Sequence, residues 1–211
     1  MVIMITGASH VGKTLLAQRM LEKYKYPYLS MDHLKMGLIR SGNTDLTPED
    51  DDELTCYLWP IVREMIKTAI ENEQNLIVEG CYIPPDWRKD FDDRYLTSVQ
   101  FICLAMTEEY IEAHIDEIIG HESEIESRQI KGDCKISELK QWNRWFLEAF
   151  SNAGEKVSLI KDDFGEAIAE SMIAISGVPV RKKSAKKNGK RRMTMEAIDH
   201  EKNHRLLRIG L

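Results

Sequence analysis

Residues 7–14 read GASHVGKT, from Gly7 to Thr14, and the spacing of Gly7, Gly12, Lys13 and Thr14 is G-x-x-x-x-G-K-[ST]. The apolar run Val2-Ile3-Met4-Ile5-Thr6 precedes it, and Leu15, Leu16, Met20 and Leu21 follow at helical spacing, so the loop lies between a strand and a helix. Gly7 and Gly12 permit backbone conformations and close approaches that a Cβ would block. The N–H groups of Ala8, Ser9, His10 and Val11 then turn inward as an anion nest, while those of Lys13, Thr14 and Leu15 open the helix at its positive dipole end. Lys13 brings a full charge to the β- and γ-phosphates of a nucleotide, and Thr14 offers its hydroxyl to a metal. His10 is read as a spacer whose backbone N–H matters, not as an acid or base. ATP and Mg²⁺ are the cofactors this loop predicts.

The strand–loop–helix unit sets the pattern for the rest of the chain. Buried strands are predicted at Tyr26–Ser30, Asn75–Val78, Val99–Leu104 and Lys156–Ile160, with Pro27 confined to a strand start. Helical patterns lie between them, near 84–94, 107–119, 136–152 and 164–176. The longest runs from about Pro48 to Glu73 with Leu54, Leu58, Ile61, Met65 and Ala69 on one face. Thr47 as N-cap, Pro48 at the first helical position and Asp50 in a T-x-x-D box mark its start, and Pro60 should kink or divide it. The acidic run Glu49–Glu53 therefore reads as a helix N-terminus in preference to a metal site. Strands alternating with helices imply an α/β fold with a parallel sheet covered on both faces.

The chain has 211 residues and a net charge of −6, but residues 181–211 hold 11 Lys+Arg against 3 Asp+Glu, which leaves residues 1–180 at −14. So acidic a body disfavours nucleic-acid binding by the main domain. Arg181–Arg192, RKKSAKKNGKRR, is 8 of 12 basic with no large apolar residue, so the domain is expected to span 1–178 and a partly disordered basic tail 179–211. The partner of that tail is left open. No stretch of 18 apolar residues and no signal-peptide pattern is present, and a cytoplasmic location is expected. The four cysteines, Cys56, Cys81, Cys103 and Cys134, form no C-x-x-C pair and suit reduced, mostly buried thiols.

Acidic residues follow two of the strands. Asp32, after the second strand, is either an N-cap for the helix Leu34–Arg40 or the carboxylate that deprotonates an acceptor hydroxyl. Glu79, after the third strand, can hold Mg²⁺ through water or bind the acceptor, and Gly80 beside it leaves room for a ligand. Arg88 and Arg94 are either anion contacts or surface charges, Cys81 and Tyr82 are candidate pocket linings, and Trp87 is a candidate cover. His114 and His121 read as a solvated or lid-edge pair. His200 and His204 lack the H-E-x-x-H arrangement and are assigned no metal. Trp142, Trp145, Phe146, Ala149 and Phe150 recur at helical spacing and are expected to pack on the sheet.

With GASHVGKT, the runs SMDHLKMGLIRS, WPIVR and LIVEG make residues 1–178 resemble the P-loop small-molecule kinases, the group of adenylate, shikimate and gluconate kinases, and more narrowly 2-phosphoglycerate kinase-like proteins. The resemblance implies a P-loop NTPase three-layer sandwich, a five-stranded parallel sheet of order 2-3-1-4-5 with helices on both faces, and a kinase-like lid at about 120–135. It implies transfer of the γ-phosphoryl group of ATP to a hydroxyl or phosphate of a small metabolite. Lys13, Asp32 and Arg128 would be catalytic, and Asp32, Arg40, Glu79, Gly80 and Arg88 would meet the acceptor. Arg128 reads equally as a solvated helix residue paired with Glu124. Where adenylate kinases carry an Asp-Gly-Phe-Pro-Arg-like run, this chain has Glu79-Gly80-Cys81-Tyr82-Ile83-Pro84, which speaks against a nucleoside monophosphate acceptor. The rival reading is a nucleotide-binding switch acting through a partner of the basic tail.

Overall fold

The structure is a computed structural model that describes residues 1–120 and 136–175. The expected lid with Arg128, together with His121, Cys134, the domain boundary near 178 and the basic tail with His200 and His204, lies outside these residues.

Val2–Gly7 forms β1, with Val2, Ile3, Met4, Ile5 and Thr6 all fully buried. A strand apolar on both faces belongs in the middle of a covered parallel sheet, and β1 sits there. The other strands are β2 (Tyr28–Ser30), β3 (Leu76–Glu79), β4 (Val99–Met106) and β5 (Val157–Ile160), in the order β2-β3-β1-β4-β5. All pairings are parallel: Ile5 lies opposite Glu79, Ser30 opposite Glu79, and Gly7 opposite Leu104. Pro27 stands just ahead of β2, where its carbonyl accepts the Ile77 N–H and its missing donor costs nothing.

Helices cover both faces. On one, α1 (Lys13–Tyr24) meets α7 (Phe164–Ala174), and the Tyr24 hydroxyl donates to the Met172 carbonyl at 3.3 Å. On the other, α3 (Asp51–Glu71) and α6 (Ile136–Asn152) are joined by a run of rings, Trp59–Phe91–Trp87–Phe101–Phe150–Phe146, with centroids 5.1–6.0 Å apart. Side chains of this size each contribute about 1.5–3 kcal/mol when fully buried. The remaining helices are α2 (Met31–Arg40), the short α4 (Asp93–Leu96) and α5 (Glu108–Gly120). Among the described residues no helix is long and apolar enough to cross a membrane.

Several local expectations are corrected. The long helix starts at Asp51, because the Asp50 carboxylate takes both the Thr47 N–H (2.7 Å) and hydroxyl (2.9 Å) and closes a turn ahead of it. The helix runs through Pro60 undivided, and its buried face is Leu54, Leu58, Val62, Ile66 and Ala69 with Trp59; Met65 is exposed. No full helix covers 84–94: Pro84 and Pro85 lack N–H donors, and a single 3-10 turn, Trp87–Asp90, precedes α4. Trp87 is fully buried in the ring cluster. On α6 the buried stripe is Leu139, Asn143, Phe146 and Phe150, which turns Trp142 and Trp145 outward. Asn143 earns its buried place by accepting the Met106 N–H (2.7 Å) and donating to the Leu139 carbonyl (2.8 Å). Cys56 is exposed, whereas Cys103 is buried and its thiol is pushed up to about 12 by burial.

Candidate active site

The chain leaves β1 for β2 on one side of the sheet and leaves β4 for β5 on the other, so a crevice opens beyond the carboxyl ends of β1 and β4. Residues Gly7–Thr14 wrap that crevice. A Cβ on Gly7 would lie 2.2 Å from the Leu104 carbonyl oxygen, so the loop leaves the sheet hard against β4. Gly12 has φ of +80°, and a Cβ there would lie 2.5 Å from the Phe164 ring of α7. His10 also takes a left-handed conformation, φ of +64°.

Ala8 and Val11 anchor the loop by full burial, while Ser9 is exposed. No side chain caps α1, whose first helical bond runs from the Leu16 N–H to the Gly12 carbonyl at 2.9 Å. The leading amides of Lys13, Thr14 and Leu15 can therefore serve an anion. Lys13 arches across the loop, its ammonium donating to the Ala8 carbonyl at 2.7 Å. Such a cradle fits a polyphosphate. No group of three or more His, Cys, Asp or Glu converges on a metal position among the described residues, so a cation here would need phosphate oxygens and water beside the Thr14 hydroxyl.

A second polar cluster is built from α2, the amino end of α3 and the turn after β3. Ser30, not Asp32, is the N-cap residue of α2; Asp32 lies in its first turn. One turn on, Lys35 makes a 3.2 Å ion pair with Asp32 and donates to the Tyr82 hydroxyl at 2.7 Å. Tyr82 donates in turn to Asp51 Oδ1 at 3.3 Å. Asp32–Lys35–Tyr82–Asp51 thus forms one polar chain across three elements. Burial raises the Tyr82 hydroxyl pKa, with the charges nearby adding to it. Burial pushes the Cys81 thiol up to about 11, against the Lys13 charge and with help from Asp32 and Asp51. So high a pKa leaves Cys81 protonated and no nucleophile.

Glu79 ends β3 with 1% exposure, its Cα partners Ile5 and Ser30 on the flanking strands. Gly80 leaves less room than expected: a Cβ there would lie 2.6 Å from the Met31 Cβ, so α2 itself fills the space. Arg40 is exposed in the last turn of α2. Arg88 is not brought to the others. Its guanidinium grips Glu155 at 2.5 and 3.0 Å and stacks on Trp87, on the β5 side of a sheet whose opposite edge, β2, leads to Asp32. Arg94 lies over its own neighbour Tyr95. His114 stacks on Tyr110 and bonds the Tyr110 carbonyl at a break in α5, a structural role. Sequence reasoning missed Lys35 and Asp51; the only signal was the i, i+3 spacing of Asp32 and Lys35.

Phosphate loop, strand order and two-sided helical cover are now in hand. A solved sugar kinase from Janibacter sp. HTCC2649 is similar to this chain, with a TM-score of 0.51 and 15% identity over 82% of this chain and 92% of that chain. The chain has the P-loop kinase fold. A gluconokinase from Sinorhizobium meliloti 1021 (TM-score 0.49, 14% identity, 83% and 91% covered) and a shikimate kinase from Aquifex aeolicus VF5 (0.46, 13%, 84% and 97%) are also similar. No protein-family model and no curated protein sequence matches the chain. Within the P-loop kinase fold, Lys13 opens α1 after β1, Asp32 lies in the first turn of α2 after β2, and Arg88 is held by Glu155.

Proposed function

We propose that the chain is an ATP-dependent phosphotransferase acting on a small metabolite, with its catalytic domain in residues 1–178. The observation that supports this reading is the geometry of the loop: Gly7 lies hard against the Leu104 carbonyl, Gly12 is at φ of +80°, α1 has no side-chain cap, and Lys13 arches onto the Ala8 carbonyl at 2.7 Å. A carboxylate that can orient and deprotonate the acceptor hydroxyl is what an in-line transfer requires, and Asp32, in the first turn of the helix that follows β2, is the candidate.

On nucleotide binding, Lys13 exchanges the Ala8 carbonyl for the β- and γ-phosphates, and the amides from Ala8 to Leu15 hold the remaining oxygens. Thr14 and, through water, Glu79 would hold Mg²⁺, which neutralises phosphate charge when bound. Asp32 orients the acceptor hydroxyl and takes its proton as the oxygen attacks the γ-phosphorus. The new O–P bond forms as the bond from the γ-phosphorus to the β–γ bridging oxygen breaks, and ADP leaves with that electron pair. Arg128, outside the described residues, is proposed to stabilise the transferring group. Arg40, at the far end of α2, would reach only a long acceptor.

The test is Asp32→Asn. Acceptor-stimulated ADP release should fall by about 10²- to 10⁴-fold, the usual contribution of a positioned base, while calorimetry shows ATP still bound. Product formation at the wild-type rate by this variant would remove Asp32 from the role.

A further inference from the structure

The charge arrangement around Asp32 bears on what the acceptor is, an argument that rests on the kinase reading above. Asp32 and Asp51 stand at the two ends of the polar chain, and Asp52 follows Asp51 in the first turn of α3. Lys35 is the cation of this array. It is largely buried, with 13% side-chain exposure, and two of its three donors are spent on Asp32 and Tyr82.

The arginines from α3 to β4 are engaged elsewhere. Arg88 is held bidentately by Glu155, Arg63 lies against Glu64 and Asp90, and Arg94 lies over Tyr95. Arg40 lies eight residues beyond Asp32 on α2, about 12 Å at 1.5 Å per residue. Lys13 is committed to the phosphate side. Among the described residues, then, the acceptor side presents carboxylate oxygens in excess over cations. Consistent with that, burial raises the Asp51 carboxyl pKa and the charges of Asp32 and Asp52 raise it further, against the Tyr82 hydrogen bond and the Lys35 charge.

We infer that the acceptor is a polyhydroxyl compound, neutral or amine-bearing, with no carboxylate or phosphate of its own. Asp32 receives the hydroxyl that reacts. Asp51 Oδ1 is taken by Tyr82, and its second oxygen accepts another hydroxyl or an ammonium of the same molecule. An anionic group about 6 Å from Asp51, at an effective dielectric near 20, would weaken binding tenfold or more.

Matched pairs that differ only in charge test this: glycerol against glycerate, and glucose and glucosamine against gluconate, each with the full chain, ATP and Mg²⁺. ADP release and the phosphate ester formed are measured. The uncharged or aminated member should be phosphorylated with a KM about tenfold or more below that of its acid. Asp51→Asn, which keeps an acceptor for Tyr82, should narrow that gap about tenfold, and Lys35→Met should widen it; loss of folding cannot produce opposite shifts. Equal or better use of the acid overturns the inference and leaves the kinase reading standing. If no member of any pair raises ADP release, the kinase reading falls and the inference with it.

Discussion

Asp51 shows how a single carboxyl reports on its surroundings. Folding half-buries it and sets it near Asp32 and Asp52, so its pKa in the native state lies above the ordinary 3.8. The sign follows from linkage. Below the ordinary value the carboxyl is protonated in both states and nothing is lost; as pH rises through the raised native value, the unfolded chain gives up the proton first and gains relative stability. Asp51→Asn has no such proton. Urea denaturation of both proteins from pH 3.5 to 7 should show the variant gaining on the wild type as pH rises, and a constant or shrinking difference would contradict the desolvated environment. Lys35 and Asp51 were not legible as site residues, because their link runs through Tyr82, 47 and 31 residues away in sequence. The link of Arg88 to Glu155, 67 residues on, was hidden for the same reason. The GASHVGKT loop was legible because its task is local: two glycines, a lysine and a threonine need no distant partner to be recognised.

At the scale of elements, short-range rules located every strand among the described residues, and errors gathered where tertiary packing chose among equivalent local patterns. On α3, spacings of three and four allow either Ile61 and Met65 or Val62 and Ile66 to follow Leu58, and the bulk of Trp59 against Phe91 accompanies the second choice. On α6, the amide of Asn143, needed at the end of β4, fixed a stripe that turns two tryptophans outward. Pro60 is the clearest test at this scale. It is exposed within an unbroken helix and removes the hydrogen bond to the Cys56 carbonyl, a position that is also exposed. Since the backbone is already helical there, Pro60→Ala restores a donor and removes a ring clash. Proline costs a helix interior about 3 kcal/mol relative to alanine, part of which the freer unfolded chain takes back. Thermal unfolding should therefore show a gain of about 1–2 kcal/mol, with nucleotide binding, read by calorimetry, unchanged. Loss of stability would mean that the ring packs against a neighbour.

For the molecule as a whole, the phosphate loop ties the α1–α7 layer to the sheet. Gly7 abuts the Leu104 backbone of β4, Gly12 abuts Phe164 at the start of α7, and Lys13 closes the loop on Ala8. A ligand that binds this loop binds only the folded chain, so nucleotide and folding must be linked. At a free ATP concentration 100 times Kd the linkage stabilises the native state by about 2.7 kcal/mol, which for a domain of this size raises the melting temperature by roughly 5–10 °C. Lys13→Ala removes the one full charge that the loop offers the β- and γ-phosphates, and its own lost bond to Ala8 is replaceable by water. Without nucleotide the variant should melt close to the wild type; with ATP and Mg²⁺ its shift should be nearly abolished. A wild-type protein whose melting temperature ignores ATP, GTP and their diphosphates would leave the cradle without a ligand, and an undiminished shift in Lys13→Ala would place the nucleotide elsewhere.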